Sequence, residues 1–211
     1  SLHHERCRRA QVLKVTALPE RDDALSTKLR LDYERQTTAL SALAGTSLAP
    51  RLLGAACADK HTWLLQTKAP GISLEKLISN HQLSISSKRS LHRKLVEHTH
   101  KLHQKGIVHG DLKPDNIVVD RGNSQRNVHV RGLMFIDFGS SYIHKSATSI
   151  EQGQRSIALG CQAYEAPEQF KATPYLVIPA ETYSLGCVLY KLWTSTPFID
   201  TQNAVQVQQH T

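Results

Sequence analysis

The sequence predicts an α+β fold in which a small strand-bearing part is followed by a larger, mostly helical one. Three observations carry this. Alternating, β-branched runs at residues 11–17 and 61–67 flank one helical stretch in the first third of the chain. Leucines recur at helical intervals between residues 91 and 102, and apolar residues do so again between 185 and 193. Between the two parts, Ala69-Pro70-Gly71 reads as a turn or short connector. With 211 residues, 40% of them hydrophobic, the chain can build about one to one and a half domains, and disorder is excluded as its default state.

Each element has its own local reason. Gln11 to Ala17 (QVLKVTA) suits a strand with Lys14 projecting from one face, and Asp23 to Leu43 reads as a helix stopped by Gly45. His61 to Thr67 (HTWLLQT) is a second strand. Ser73 to Ser79 gives a short capped helix, and a long one begins near Ser86 with Leu91, Leu95 and Leu102 inward. Helix yields at Gly106 to Ile107-Val108 and a loop. Ile117-Val118-Val119 and Met134-Phe135-Ile136 then form a hairpin. Residues 139–163, rich in Ser, Thr, Gln and Gly, read as a long loop of the functional kind. Beyond Pro179, the spacing of Leu185, Val188, Leu189, Leu192 and Trp193 predicts a strongly buried helix.

Lys and Arg total 26 against 18 Asp and Glu, a formal net charge of +8. The segment from His81 to Arg131 holds ten Lys/Arg against four Asp/Glu, so most of the excess lies there and favours an acidic or phosphorylated partner. Nucleic acid is not expected, since aromatic residues are 6% and no nucleic-acid motif is present. No apolar run reaches the ~20 residues that span a bilayer and no signal peptide is visible, so the expectation is an intracellular chain without membrane contact. Cys7, Cys57, Cys161 and Cys187 form no CxxC pair, which points to reduced thiols. His98, His100 and His103 lie close in sequence, but His98 and His100 point about 200° apart on a helix, so they read as structural or surface residues.

Chemistry concentrates in one stretch. The loop after the long helix reads His109-Gly110-Asp111-Leu112-Lys113-Pro114-Asp115-Asn116, and the hairpin runs into Asp137-Phe138-Gly139. Magnesium takes hard oxygen ligands, often one or two carboxylates with phosphate oxygens completing the shell, and Asn116 and Asp137 are of that kind. Asp111 is then left to orient a proton, Lys113 to neutralise a moving phosphoryl group, and Gly139 to let the backbone turn sharply.

Those residues resemble the eukaryotic-type Ser/Thr protein kinases, with HGDLKPDN similar to the catalytic loop and DFG to the metal loop. The resemblance extends to Lys14 in VLKV as the strand lysine, Glu34 as its helix partner, Ala166-Pro167-Glu168, and Tyr183-Ser184-Leu185-Gly186 in the buried helix below the loop. It implies a two-lobed fold: an N-lobe at 1–66, truncated, a hinge at 67–71, and a C-lobe at 72–211, incomplete at its end. It implies ATP and Mg²⁺, with Gln66 as gatekeeper, Thr67 to Ala69 at adenine, Lys14 fixed by Glu34 on the α- and β-phosphates, metal on Asn116 and Asp137, and Asp111 and Lys113 in catalysis. Protein Ser/Thr hydroxyls are the implied acceptors; oligomeric state is left open.

Several positions depart from the family. Gly110 stands where an arginine usually couples loop phosphorylation to activity, so an enzyme without that requirement is expected even with Ser140, Ser141, Tyr142, Ser146, Thr148, Ser149 and Ser156 replaced. Cys161 replaces a threonine, and Glu181 an aspartate that braces the catalytic loop. The first glycine is Gly45, so no glycine-rich loop precedes Lys14; either the sequence is a fragment or Lys14, hinge and metal hold the nucleotide. Gly110 also resembles aminoglycoside and choline phosphotransferases, which keeps a small-molecule kinase as one alternative, with a catalytically silent interaction module as another. Lys113 and the Ala-Pro-Glu segment favour the protein kinase.

Overall fold

The computed structural model describes residues 10–19, 24–58, 60–80, 83–122, 130–143, 152–153, 162–170 and 175–199. Cys7, Cys161 and most of the candidate phosphorylation sites lie outside them.

β1 (Gln11–Ala17), α1 (Ala24–Ala42), β2 (Leu52–Ala58) and β3 (His61–Thr67) make the first unit. The strands form an antiparallel sheet in the order β1-β3-β2. Alternation sends Val12, Lys14 and Thr16 to the same face as Gln66, Leu64 and Thr62, their partners in register, while Leu13 and Val15 remain exposed. α1 packs against β2 and β3 and buries Gln36, Ala39 and Leu40, a stripe that Leu43 continues. β2 was not anticipated: its sequence, LLGAACA, is mostly small residues with little β propensity. Pairing with β3 makes it a strand.

The chain leaves β3 through residues 67–71, a short connector that leads to the next strand. Thr67 donates its N–H to the Arg51 carbonyl at 2.9 Å, and Lys68 donates to the Ala10 carbonyl at 2.8 Å, fastening the connector to the sheet. It ends at Gly71, with φ of +112°, where an added Cβ would lie 2.0 Å from the Val119 carbonyl oxygen. β4 (Ile72–Ser73) follows, then α2 (Leu74–Asn80) and α3 (Ile85–Gln104). Ser84 caps α3 by accepting from the Ser87 amide at 3.2 Å, and Gly106 (φ 69°) lets the chain turn away at its end.

β5 (Ile107–Val108), β6 (Ile117–Arg121), β7 (Val130–Phe135) and β8 (Tyr142–Ile143) frame the loops that carry the motifs. β6 and β7 form the expected antiparallel hairpin, which β4 extends, and β5 pairs with β8. Part of the stretch read as a long loop is thus ordered pairing, including β9 (Gln152–Gly153) with β10 (Tyr175–Leu176). α4 (Val177–Thr194) begins two residues before Pro179, because proline costs little in a first turn where its missing N–H would be unpaired anyway.

α4 packs on α3 and buries Leu185, Val188 and Leu192. Lys191 Nζ reaches both Glu75 carboxylate oxygens, at 2.8 and 2.6 Å, tying α2 to α4, and Lys88 Nζ donates to the Trp193 carbonyl at the end of α4. Leu74, Leu77, Leu91, Leu95 and Leu102 are fully buried with Phe135 in one continuous core. Two parts, a small sheet with one helix and a larger mainly helical unit, agree with the α+β class. Among the described residues no helix is long and apolar enough to cross a membrane.

Because Gly71 needs both a left-handed backbone and contact with Val119, Gly71→Ala should cost about 3 kcal/mol, combining backbone strain with overpacking. Urea denaturation measures it; a change under about 0.5 kcal/mol would show that the close approach is not kept in solution.

Candidate active site

A cleft of about 250 Å³ opens between the first sheet, α1 and the loops after β5 and β7, lined by Lys14, Asp32, Gln36, Asp111, Asp137 and neighbouring residues. Its base is the loop 109–116, and that loop is fixed from below. His109 is fully buried, its ring 4.7 Å from the Phe138 ring. Its Nε2 lies 2.9 Å from the Ile136 carbonyl and its Nδ1 3.3 Å from the Asp111 amide nitrogen. The amide can only donate and the carbonyl only accept, so the ring is the neutral Nε2–H tautomer. Gly110 donates its N–H to Glu181 Oε2 at 2.8 Å, while the other oxygen of that carboxylate meets His103 Nε2 at 3.0 Å. Glu181, 3% exposed, thus joins the end of α3 to the loop.

Asp111 sits at the centre of a polar cluster. Lys113 Nζ donates to its Oδ2 at 2.7 Å, and Asn116 Nδ2 donates to both its carbonyl oxygen and Oδ2 at 2.9 Å. With the Asn116 amide nitrogen turned to Asp111, Asn116 Oδ1 is the atom left as a ligand. Asn116 is buried, and its carbonyl accepts from the Ile136 amide at 2.9 Å, which binds this loop to the strand leading to Asp137.

Asp137 has φ of +67° and Lys14 Nζ pairs with its Oδ1 at 2.9 Å. This pair is 38% and 51% exposed, so it contributes about 1 kcal/mol at most and yields readily to a competing phosphate or cation. Asp137 Oδ2 and Asn116 Oδ1 are hard-oxygen donors of the kind magnesium accepts. The sharp turn falls on Asp137 and not on Gly139, whose φ is unremarkable; a Cβ there would meet Asp32 Cβ at 3.5 Å.

Residues 139–143 wedge between the loop and α1. Gly110 has φ of +78°, and a Cβ on it would lie 2.0 Å from the Ser140 carbonyl oxygen, so glycine is required there by contact as well as conformation. Ser141 is 1% exposed, and the Arg35 guanidinium lies 5.2 Å from the Tyr142 ring centroid.

Lys14, Asp111, Lys113, Asn116 and Asp137 therefore come together, and Gln66, Thr67 and Ala69 lie at the end of β3 and in the connector. Gln66 is 5% exposed, and its Oε1 has no hydrogen-bond partner among the described residues. Glu34 does not join them: it is exposed, and Lys14 pairs with Asp137. The reason is helical phase. Gln36, Ala39, Leu40 and Leu43 fall on one stripe at i, i+3, i+4 and i+7, and Glu34 lies about 200° from Gln36. Gln36 and, one turn earlier, Asp32 face the cleft instead. The same phase was readable in the sequence. Glu181 keeps its expected bracing role in geometry, and the His98 ring lies 6.4 Å from the Phe135 ring. Among the described residues no group of three or more His, Cys, Asp or Glu converges as a metal site.

Burial raises the pKa of Asp32 and the neighbouring Asp137 charge adds to this, against the opposing charges of Lys28 and Arg35. A carboxyl whose folded pKa exceeds its unfolded one contributes stability below the unfolded pKa and loses it as pH rises through the folded value. Asp32→Asn should therefore be more stable than the parent at pH 7, with the difference shrinking toward pH 4. Paired urea titrations across that range test this; a difference independent of pH would remove Asp32 from the electrostatics of the cleft.

Comparison with known proteins gives a consistent picture. The family model described as "Protein kinase domain" matches residues 28–211. Sperm motility kinase 2B of Mus musculus is 32% identical over 142 residues, 66% of this chain and 26% of its own length. Serine/threonine-protein kinase PknB of Mycobacterium leprae (strain TN) is 33% identical over 109 residues, 51% of this chain and 16% of its own. CBL-interacting protein kinase 21 of Oryza sativa subsp. japonica is 26% identical over 190 residues, 90% of this chain and 34% of its own. The matched region covers about a sixth to a third of these relatives.

Proposed function

Because this chain belongs to the protein kinase domain family, we propose that it transfers the γ-phosphoryl group of ATP to Ser or Thr hydroxyls of protein substrates. The observation that carries this is the Asp111 carboxylate, held by Lys113 and Asn116 in the same cleft as Lys14 and Asp137.

Each residue has a task set by its chemistry. Asp111 accepts the hydrogen bond of the substrate hydroxyl and orients its oxygen for in-line attack. Lys113, already on the Asp111 carboxylate, offers positive charge where the transferring group gains negative charge. Lys14 exchanges its exposed pair with Asp137 for the α- and β-phosphates. Asn116 Oδ1 and Asp137 Oδ2 would hold Mg²⁺, which supplies charge neutralisation between the phosphates. Gln66, Thr67 and Ala69 border the adenine; since the Thr67 and Lys68 amides are engaged by the sheet, Ala69 supplies the hinge donor. Glu34 takes no part.

Phosphorylation of the loop is not needed in this reading. Gly110 carries no arginine to receive a phosphate, and the Arg35–Tyr142 contact already ties α1 to the segment after Gly139.

The test is transfer from ATP labelled on its γ-phosphate, with the 211-residue chain, Mg²⁺ and a protein mixture beside a panel of sugars, choline and aminoglycosides. Label on protein Ser or Thr is expected, reduced at least ~100-fold in Asp111→Asn and in Asp137→Ala with folding intact. Replacing Ser140, Ser141, Ser146, Thr148, Ser149 and Ser156 by Ala and Tyr142 by Phe should keep most activity. Label confined to small molecules, or undiminished transfer by Asp137→Ala, would contradict the assignment.

A further inference from the structure

A second cavity, of about 210 Å³, shares no lining residue with the cleft. It lies between α3, the β6–β7 hairpin and the connector at Pro70. Lys94 and His98, four residues apart on α3, present one face to it. Arg131 enters from β7 for a specific reason. Asp120 pairs with Gly132 and Arg121 with Val130, so Arg131 is the extra residue of a β-bulge, and bulges re-aim a side chain. Val118 and Met134, paired across the hairpin, add apolar surface to the lining.

The site has unmet capacity for an anion. His98 Nδ1 is buried without a hydrogen-bond partner among the described residues. Burial lowers the His98 pKa and the charges of Lys101 and Lys94 act in the same direction, against the Lys94 backbone carbonyl and the Glu97 carboxylate. Asp120 is the one acidic group among the lining residues, against Lys94 and Arg131. Lys94, His98, Asp120 and Arg131 fall in the segment 81–131 that holds most of the excess positive charge.

We propose that this cavity docks an acidic segment of a partner polypeptide, a carboxylate meeting Lys94, His98 and Arg131 while a neighbouring aliphatic side chain lies on Val118 and Met134. Charge complementarity selects the occupant, and the apolar surface selects a peptide over a free anion. Docking here needs no phosphoryl transfer, so it succeeds or fails apart from the catalytic assignment.

Nuclear magnetic resonance titration of the nitrogen-15-labelled chain with the peptide Gly-Glu-Val-Glu-Gly tests it. Shifts should centre on Lys94, His98 and Arg131, and affinity should drop at least ~10-fold in the double variant Lys94→Ala, Arg131→Ala, whose dispersed spectrum reports folding. Asp120→Asn should bind more tightly and Asp111→Asn as the parent does. Equal binding of Gly-Gln-Val-Gln-Gly, unchanged affinity in the double variant, shifts scattered elsewhere, or inorganic phosphate giving the same shifts at the same concentration would overturn it.

Discussion

The buried Glu181 carboxylate is the contact on which the cleft depends. One oxygen accepts from the Gly110 amide and the other meets His103, so a residue of α4 fixes both the end of α3 and the loop that presents Asp111. A carboxylate in this apolar setting is costly unless both oxygens are satisfied, and here they are. Removing it would leave a buried N–H without a partner, a cost of about 1–3 kcal/mol that falls on the loop rather than on the fold at large. The extra methylene of Glu relative to Asp is absorbed without losing either contact.

From that anchor, order passes upward through backbone contacts that tolerate little variation. Gly110 lies close to the Ser140 carbonyl, His109 links to the Ile136 carbonyl, and the Asn116 carbonyl accepts from the Ile136 amide, so the two motif loops are joined by direct contacts. Residues 139–143 then meet α1 through Asp32, Arg35 and the Tyr142 ring. The polar side chains in the cleft are therefore aimed by buried neighbours, while the Lys14–Asp137 pair stays partly exposed. Rigid support with a weak, replaceable pair at the top is what the electrostatic phosphoryl transfer proposed above would require.

Much of this was legible beforehand where chemistry and spacing coincide. The HGDLKPDN and DFG stretches, the strand lysine and the buried helix over Leu185 to Leu192 come from short-range patterns, and Lys14, Asp111, Asp137 and Gly139 line one cleft. Glu34 was misplaced because its distance from Lys14 was weighed and its phase relative to Leu40 and Leu43 was not; Gln36 carries the phase but not the charge. β2 was invisible because Gly54, Ala55 and Ala56 have no strand preference of their own and pair only once β3 is present. The turn at Asp137 was assigned to Gly139 because glycine is the usual left-handed residue, whereas the positive φ falls on the aspartate itself. The cavity at Arg131 depends on a bulge, a one-residue register shift that alternation cannot reveal.

Exchange of the Gly110 amide hydrogen, followed by nuclear magnetic resonance, tests the central claim most directly, because that hydrogen is the one Glu181 holds. The account predicts exchange as slow as that of the core amides of α3, and at least ~10-fold faster exchange in Glu181→Ala while α3 stays protected. A Gly110 amide that exchanges at the rate of an open loop in the parent protein would contradict it, since the catalytic loop would then not be anchored from below.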